Sequence, residues 1–190
     1  MNLYLRMLWL LLTARFRPRF ETAGDLSVLR LRVLPNDLDI SLHLNNGRYL
    51  TLMDLGRTDF LLRSGLWRTV LKRKLTPIVS SVLIRYRREI GPFKPFNLET
   101  RVIGWREDTV IFEQAFKFAT GRRAGQTAAV ALVRAGLYDR AQRAFATVEE
   151  LVASTDLIAT PPGIDAATQA FLDAEQAMRS QSAERALGPV

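Results

Sequence analysis

Cysteine is absent from the 190 residues, and histidine occurs once, as His43. The first absence excludes disulfides, thiolate metal sites and a cysteine nucleophile. The second rules out a His-rich metal centre and forces any Ser-His-Asp triad through a single imidazole. Carboxylates are therefore the chief candidates for acid–base chemistry. Uncharged apolar runs are short as well. The longest, in MNLYLRMLWLLLTARFRPRF, is interrupted by Arg6 and ends by Leu12, well below the ~20 residues a bilayer span requires. A cleaved secretory leader is not expected, because Arg15, Arg17 and Arg19 follow the apolar stretch where small residues would stand. No zinc-finger, RNP or helix-turn-helix pattern occurs, so a specific nucleic-acid role is not expected either.

What is present reads as one globular domain. Hydrophobic residues make up 48 % and charged residues 24 %, ordinary usage for a chain that folds in water. A chain of this length buries roughly 70 % of the surface it would expose unfolded. The net charge of +8 comes mainly from arginines spread along the chain, including Arg30, Arg63, Arg101 and Arg134. Such a field attracts anionic ligands and membranes in general without marking one site. The lack of cysteine suits a reducing cytoplasm.

The periodicity divides the chain into three parts. Residues 1–20 predict a short amphipathic helix ended by Pro18, either docked on protein through Leu8, Trp9 and Leu12 or lying in peripheral contact with a membrane. Residues 21–157 predict the domain proper. Leu26 to Leu34 alternate as a strand with Leu29, Leu31 and Val33 inward. The polar stretch PNDLDISLHLNN then leads to Asn45 or Asn46 as the N-cap of a helix running to about Ser64 and stopped by Gly65. In that helix Thr51, Asp54 and Thr58 form one narrow polar stripe.

After a basic connector, WRTVLKRKL, four alternating stretches predict an antiparallel meander. Its inward residues are Val82, Ile84 and Tyr86, then Phe96, Leu98, Thr100 and Val102, then Val110, Phe112, Phe116 and Phe118, then an alanine-rich strand from Ala129 to Leu137. GPFKPF, WREDT and GRRAG supply the turns. A helix from Thr147 to about Leu157 is expected, followed by a break at Pro161-Pro162-Gly163. Residues 158–190 then form a helical or partly disordered tail containing Phe171, Leu172 and Met178, with disorder from about Ser180.

One strand, a polar loop, one long apolar helix and a run of antiparallel strands is an α+β layout in which a sheet of about five strands wraps the helix to bury it, the hotdog arrangement. The segment PNDLDISLHLNNGRYLTLMDLGR, residues 35–57, resembles the signature of hotdog acyl-CoA thioesterases of the 4-hydroxybenzoyl-CoA thioesterase type. Its Asp-x-Asp, His-x-Asn-Asn, Tyr and Asp-x-x-Arg pattern is similar to the branch containing thioesterase superfamily member six. The similarity continues through IRYRREIGPFKPFNLETRVIGWREDTVIFEQAFKF, so it covers roughly residues 27–138.

The resemblance implies hydrolysis of an acyl-CoA thioester, without cofactor or metal, by a homodimer or a dimer-based tetramer. It also leaves open a non-catalytic acyl-CoA or lipid binding role on the same fold. The second aspartate of the Asp-x-Asp pair, Asp39, falls where the family places its catalytic carboxylate, and Asn46 falls at the helix-start amide that polarises the carbonyl. From the residues alone, Asp39 reads equally as the acceptor of an Asx turn. Asp37 reads as shaping the loop, and His43 either orients Asp39 or fixes the loop by hydrogen bonds. Asn45 either binds near the thioester or caps the helix. Tyr49 is a substrate-contact candidate that also fits the core.

Asp54 is the alternative carboxylate, since some hotdog thioesterases carry theirs on the central helix, and its other reading is a pair with Arg57 or Thr58. Arg87 and Arg88 are candidates for the CoA phosphates by charge, as are Arg85, Arg122 and Arg123. Where many relatives have glycine before the histidine, this chain has Leu42, which implies a tighter loop or a narrower site.

Overall fold

The computed structural model describes residues 2–159 and 163–187. Pro161 and Pro162, where the break was expected, lie outside the described residues. An antiparallel sheet curls around one long helix, the hotdog arrangement. The helix is α2 (Asn46–Arg63), and the first strand is β1 (Ser27–Arg32). The meander comprises β2 (Thr76–Tyr86), β3 (Pro95–Arg106), β4 (Thr109–Phe118) and β5 (Thr127–Asp139), with a two-residue β6 (Ala144–Phe145) paired to the end of β5. The strand order β1-β3-β4-β5-β2 leaves β1 and β2 at the two edges.

Alternation builds these strands. In β3, Phe96, Leu98, Thr100 and Val102 all turn inward and are buried, as a half-buried pleated surface requires. Phe96 and Leu98 meet Tyr49, Leu52, Met53 and Leu55 of α2, together with Phe116 and Val133, in the main core, while Val102 packs in a second cluster with Phe20 and Phe60. In β2, Ile84 packs on that core and the Tyr86 ring lies edge-on to Tyr49. Val82 and Tyr86 stay 37 % and 41 % exposed, because β2 pairs on one side alone.

Helix α2 begins at the Asn45 cap, whose side chain accepts from the Gly47 amide at 2.8 Å, and ends beside Gly65 at φ +83°. It is covered less completely than its composition suggests, since Leu50 is 42 % exposed. Its approach to the sheet is set at Gly56. A Cβ there would collide with Thr100 Oγ1 and stand 2.8 Å from Gln114 Nε2. Gln114, fully buried in β4, donates to Met53 O at 3.0 Å and to Thr100 Oγ1 at 2.9 Å, and accepts from Arg57. The polar groups under the helix are thus satisfied among themselves.

Three expectations need correction. The basic connector is a helix, α3 (Trp67–Arg73), because its leucine, arginine and lysine are good helix formers once Gly65 has broken α2. The helix after β6 is shorter than expected, α4 (Val148–Ala153), capped by Thr147. The tail forms α5 (Ala166–Leu187), which runs past Ser180 on alanine, glutamate, arginine and leucine. α5 buries Phe171 and Leu172, while Met178 is 70 % exposed. Glu175 of α5 holds Arg134 of β5 at 2.8 Å, whereas Arg101–Glu113 and Lys117–Glu99 pair across strands at 2.8 and 2.7 Å.

The N-terminal segment docks as α1 (Asn2–Ala14), but by a different face from the one expected. Leu10 is buried, and Leu3 and Met7 pack on the main core. Leu8, Trp9 and Leu12 point away at 53 %, 66 % and 61 % exposure. Two buried carboxylates hold the segment. Asp37 takes Arg6 at 2.6 Å and Asp59 of α2 takes Arg17 at 2.9 Å. Each carboxylate also holds a second arginine, Arg48 on Asp37 at 2.9 Å and Arg63 on Asp59 at 3.5 Å.

Gly56→Ala tests the close approach of α2. Helix propensity alone favours alanine there by ~1 kcal/mol. The contact with Thr100 and Gln114 reverses the sign, and a loss of about 1–3 kcal/mol is expected, read as a lower urea midpoint at unchanged slope. A stabilised variant would show that α2 does not rest on those two side chains.

Candidate active site

The loop between β1 and α2 is built around Asp37, which closes a single 3-10 turn, Pro35–Asp37, and is fully buried. Its Oδ2 accepts from the Leu34 amide at 2.9 Å and from Arg6, while its Oδ1 accepts from Arg48 Nη2 at 2.9 Å and Nε at 3.2 Å. Its carbonyl accepts the Asn45 amide at 2.9 Å. One residue therefore ties the end of β1, the helix α1 and both sides of the α2 start. This is the loop-shaping part expected of Asp37.

Asp39 stands in a closed lobe. Its Oδ1 accepts from the Ser41 amide at 2.9 Å and the His43 amide at 3.2 Å, and its own amide donates to His43 O at 2.9 Å. The Asx turn anticipated for it is therefore formed. Both bonds fall on Oδ1, and among the described residues none is given to Oδ2. The carboxylate is half-buried, its position fixed by the backbone. The bonds that link His43 to Asp39 run through its main chain.

Leu42 occupies the place where a glycine was noted in many relatives, and it adopts φ +59°, the left-handed region. The tight lobe thus demands a glycine-like conformation of a leucine whose side chain is 63 % exposed. Ile40, at the tip, is fully exposed.

The far end of the loop presents the first turn of α2. Asn45 caps it through the Gly47 amide, and the Arg48 amide donates to Asn45 O at 2.9 Å. Among the described residues the Asn46 amide is given no acceptor, and Asn46 is exposed. A donor of this kind at a helix start attracts developing negative charge. Tyr86, which the sequence placed only as an inward strand residue, donates its hydroxyl to Asn46 O at 3.0 Å. Leu44 N bonds Ile90 O at 2.9 Å. The end of β2 and the segment after it, with Arg87 and Arg88, therefore lie beside the α2 start. Both arginines are exposed, and their amides donate to Ala128 O at 2.8 and 3.0 Å.

The other candidates lie elsewhere. Tyr49 is 2 % exposed and packs edge-on against Tyr86 at 5.1 Å and Phe116 at 4.7 Å. Burial drives its hydroxyl far above the usual phenol range. Asp54 sits two turns into α2, 52 % exposed, and pairs with Arg57 three residues on. Burial lowers the Arg57 guanidinium below its usual pKa, with the charge of Asp54 opposing that shift.

Asp54, Arg57 and Thr58 line one side of an apolar cavity of about 390 Å³. Phe60, Val79 and Phe112 are among its other walls. That is within the range of small-molecule sites. A larger groove of about 750 Å³ runs over the outer face of the sheet under the segment leading into α5. Its Arg101 is already paired with Glu113, so size alone does not select it.

Sequence reading missed Asp59, which is fully buried and also accepts from Ser27 Oγ at 2.6 Å. Its signal was its position on the apolar arc of α2, four residues from Leu55 and next to Phe60. Arg6, Arg48 and Gln114 carried no comparable signal, since each is polar and reaches its partner only through the fold.

Comparisons identify the family and the fold. A family model described as the thioesterase-like superfamily matches residues 33–167. The chain is similar to Protein THEM6 of Danio rerio, 35 % identical over 113 residues, which are 60 % of this chain and 56 % of that protein. The match thus spans little more than half the length of that relative. Among solved structures, the probable thioesterase YbaW of Escherichia coli superposes with a TM-score of 0.60 at 21 % identity, over 67 % of this chain and 93 % of that one. A 4-hydroxybenzoyl CoA thioesterase mutant complexed with 4-hydroxybenzoyl CoA gives 0.59 at 13 %, over 67 % and 98 %. At these identities the superpositions carry the fold.

Leu42 offers a direct test of the lobe. A leucine in the left-handed region costs about 1–2 kcal/mol, and glycine's extra chain entropy costs about 0.5–1 kcal/mol. Leu42→Gly is therefore expected to be neutral or to stabilise by up to about 1 kcal/mol, while Leu42→Val destabilises by a similar amount. A loss above about 1 kcal/mol for the glycine variant in thermal or urea unfolding would contradict this backbone.

Proposed function

We propose, since the chain belongs to the thioesterase-like superfamily, that it hydrolyses acyl-CoA thioesters to the free acid and CoA. One observation supports this reading above the others: among the described residues, a carboxylate with one oxygen unbonded and a helix-start amide without an acceptor flank the same short loop. Asp39 takes a proton from water, and the resulting hydroxide adds to the thioester carbon. The Asn46 amide stabilises the oxyanion, the C–S bond then breaks, and the thiolate leaves and is protonated. Direct attack by Asp39 through an acyl anhydride would use the same two groups. Asn45 holds the helix start, His43 holds the Asp39 lobe, and Arg87 and Arg88 stand where the CoA phosphates would meet positive charge.

A specific observation favours a second placement of the carboxylate. Asp54 lies on the wall of the apolar cavity, where an acyl group would be shielded from water. Its pairing with Arg57 ranks it behind Asp39, because the guanidinium already occupies a carboxylate oxygen that would have to face the water. Asp39→Asn keeps size and hydrogen-bonding capacity and removes the charge. It is expected to lower turnover at least ~10²-fold with the fold and ligand binding retained, while Asp54→Asn stays within a few-fold of the parent. Thiol release from short, long and aromatic acyl-CoAs reads this out. The reverse ranking would move the chemistry to α2. Binding of acyl-CoA without any turnover would make the protein an acyl-CoA binder.

We further propose a homo-oligomer, a dimer or a pair of dimers, acting in the cytoplasm with peripheral membrane contact through residues 1–20. The outer edge of β2 is unpaired and Ile78, Val79 and Leu83 on it are 37 %, 41 % and 53 % exposed, an arrangement that a second copy would cover. Light scattering at micromolar concentration should return at least twice the chain mass of 21.5 kDa. A monomer would count against the reading.

A further inference from the structure

The helix α1 is apolar on all sides, yet the protein covers only one of them. At 100° per residue, Leu3, Met7 and Leu10 face inward, and the single charged residue of the helix, Arg6, also points inward to the buried Asp37. Tyr4, Leu5, Leu8, Trp9, Leu11 and Leu12 occupy a continuous outward arc of roughly 160° and are 50–79 % exposed. Phe16, just past the helix, is 73 % exposed. A helix in water places charge outward and apolar residues inward; here the charge points inward and the outer face is wholly apolar.

The three aromatic side chains alone, at ~150–250 Å² each and about two-thirds or more exposed, present roughly 300–500 Å². That already reaches the largest apolar patch a soluble monomer usually shows.

Charge distinguishes what can cover this face. Residues 1–20 contain Arg6, Arg15, Arg17 and Arg19 and no acidic residue. Arg15 and Arg19 are exposed, and the Arg15 guanidinium lies 4.5 Å from the Phe16 ring. A second copy of this surface would bring the arginines against themselves. An anionic bilayer satisfies both components, taking the apolar arc into the acyl region and the arginines at the headgroups. No described helix is long and apolar enough to cross a membrane.

We propose that the outer face of α1 docks flat on an anionic phospholipid bilayer. The inner side of the same helix supplies Leu3 and Met7 to the lining of the 390 Å³ apolar cavity. Docking therefore makes α1 the shared wall between bilayer and cavity, and long-chain acyl groups partitioned in the membrane reach the cavity past Leu3 and Met7. This delivery step rests on the reading of the chain as an acyl thioesterase; the docking does not.

The test uses the full chain with phosphatidylcholine vesicles, alone or mixed with phosphatidylglycerol. The parent should cosediment with the mixed vesicles and be released by salt. Leu8→Glu/Trp9→Glu alters only exposed positions, so unfolding should be unchanged while vesicle affinity falls at least about tenfold. Mixed vesicles should raise turnover of a long-chain acyl-CoA by the parent but not by the variant, with a short-chain acyl-CoA unaffected.

Equal binding by parent and variant, equal binding to both vesicle types, or no binding would overturn the docking. Loss of oligomer mass in the variant without vesicle binding would show a second copy covering the face, and would equally overturn it. Vesicle binding without stimulation would overturn the delivery step. Full vesicle binding by a protein that hydrolyses no thioester supports the docking while removing the thioesterase reading.

Discussion

The buried carboxylate of Asp37 is the constraint on which the rest of the molecule depends. An ion removed from water must recover its solvation from fixed donors, and the donors here come from three places, the Leu34 amide, Arg6 of α1 and Arg48 of α2, while the Asp37 carbonyl takes the Asn45 amide. Satisfying this one group fixes where β1 ends, where α1 lies and where α2 begins. The lobe carrying Asp39 and the free amide of Asn46 are suspended between those fixed points. Asp37 thus fixes the frame of the proposed site without being placed to act in it.

A second buried acid repeats the device at the other end of the N-terminal segment. Asp59 takes Arg17, Ser27 and, at 3.5 Å, Arg63, so the segment from α1 to β1 is held at both ends by carboxylates beneath it. Between these clamps the apolar inner face of α1 closes one side of the cavity that contains Asp54 and Arg57. The proposed chemistry at the α2 start and the apolar volume beside α2 are therefore served by the same helix. The Gly56 contact with Thr100 and Gln114 sets how deep that helix lies in the sheet.

Much of this was legible in the sequence, for physical reasons. Period-two alternation marked β3 and β4 because one face of each strand is buried. Asn45 and Gly65 bracketed α2 because unpaired helix ends need a cap at one terminus and a left-handed residue at the other. The motif around Asp37 and Asp39 separated a shaping acid from a chemical candidate, and the structure places the two in different environments. Leu42 was visible as a departure from glycine, although only the backbone shows that it keeps the glycine conformation. The pattern of α1 pointed to the wrong face, because its one charged residue, Arg6, would be expected outward with Leu8, Trp9 and Leu12 inward; the orientation was decided by Arg6 finding Asp37. Asp59 was hidden for the related reason that a single acid on an apolar arc reads as surface until its partners, Arg17 and Ser27, are brought from far along the chain.

The central claim is that the thioester lies between Asp39 and the start of α2. A crystal structure with a non-hydrolysable 2-oxoalkyl thioether of CoA, which keeps a ketone carbonyl beside the sulfur-bound methylene, measures this directly. The account predicts the analogue's carbonyl oxygen within hydrogen-bond distance of the Asn46 amide and its carbonyl carbon facing the unbonded Oδ2 of Asp39. A carbonyl held instead against Asp54 and Arg57, with Asp39 turned to solvent, would contradict it.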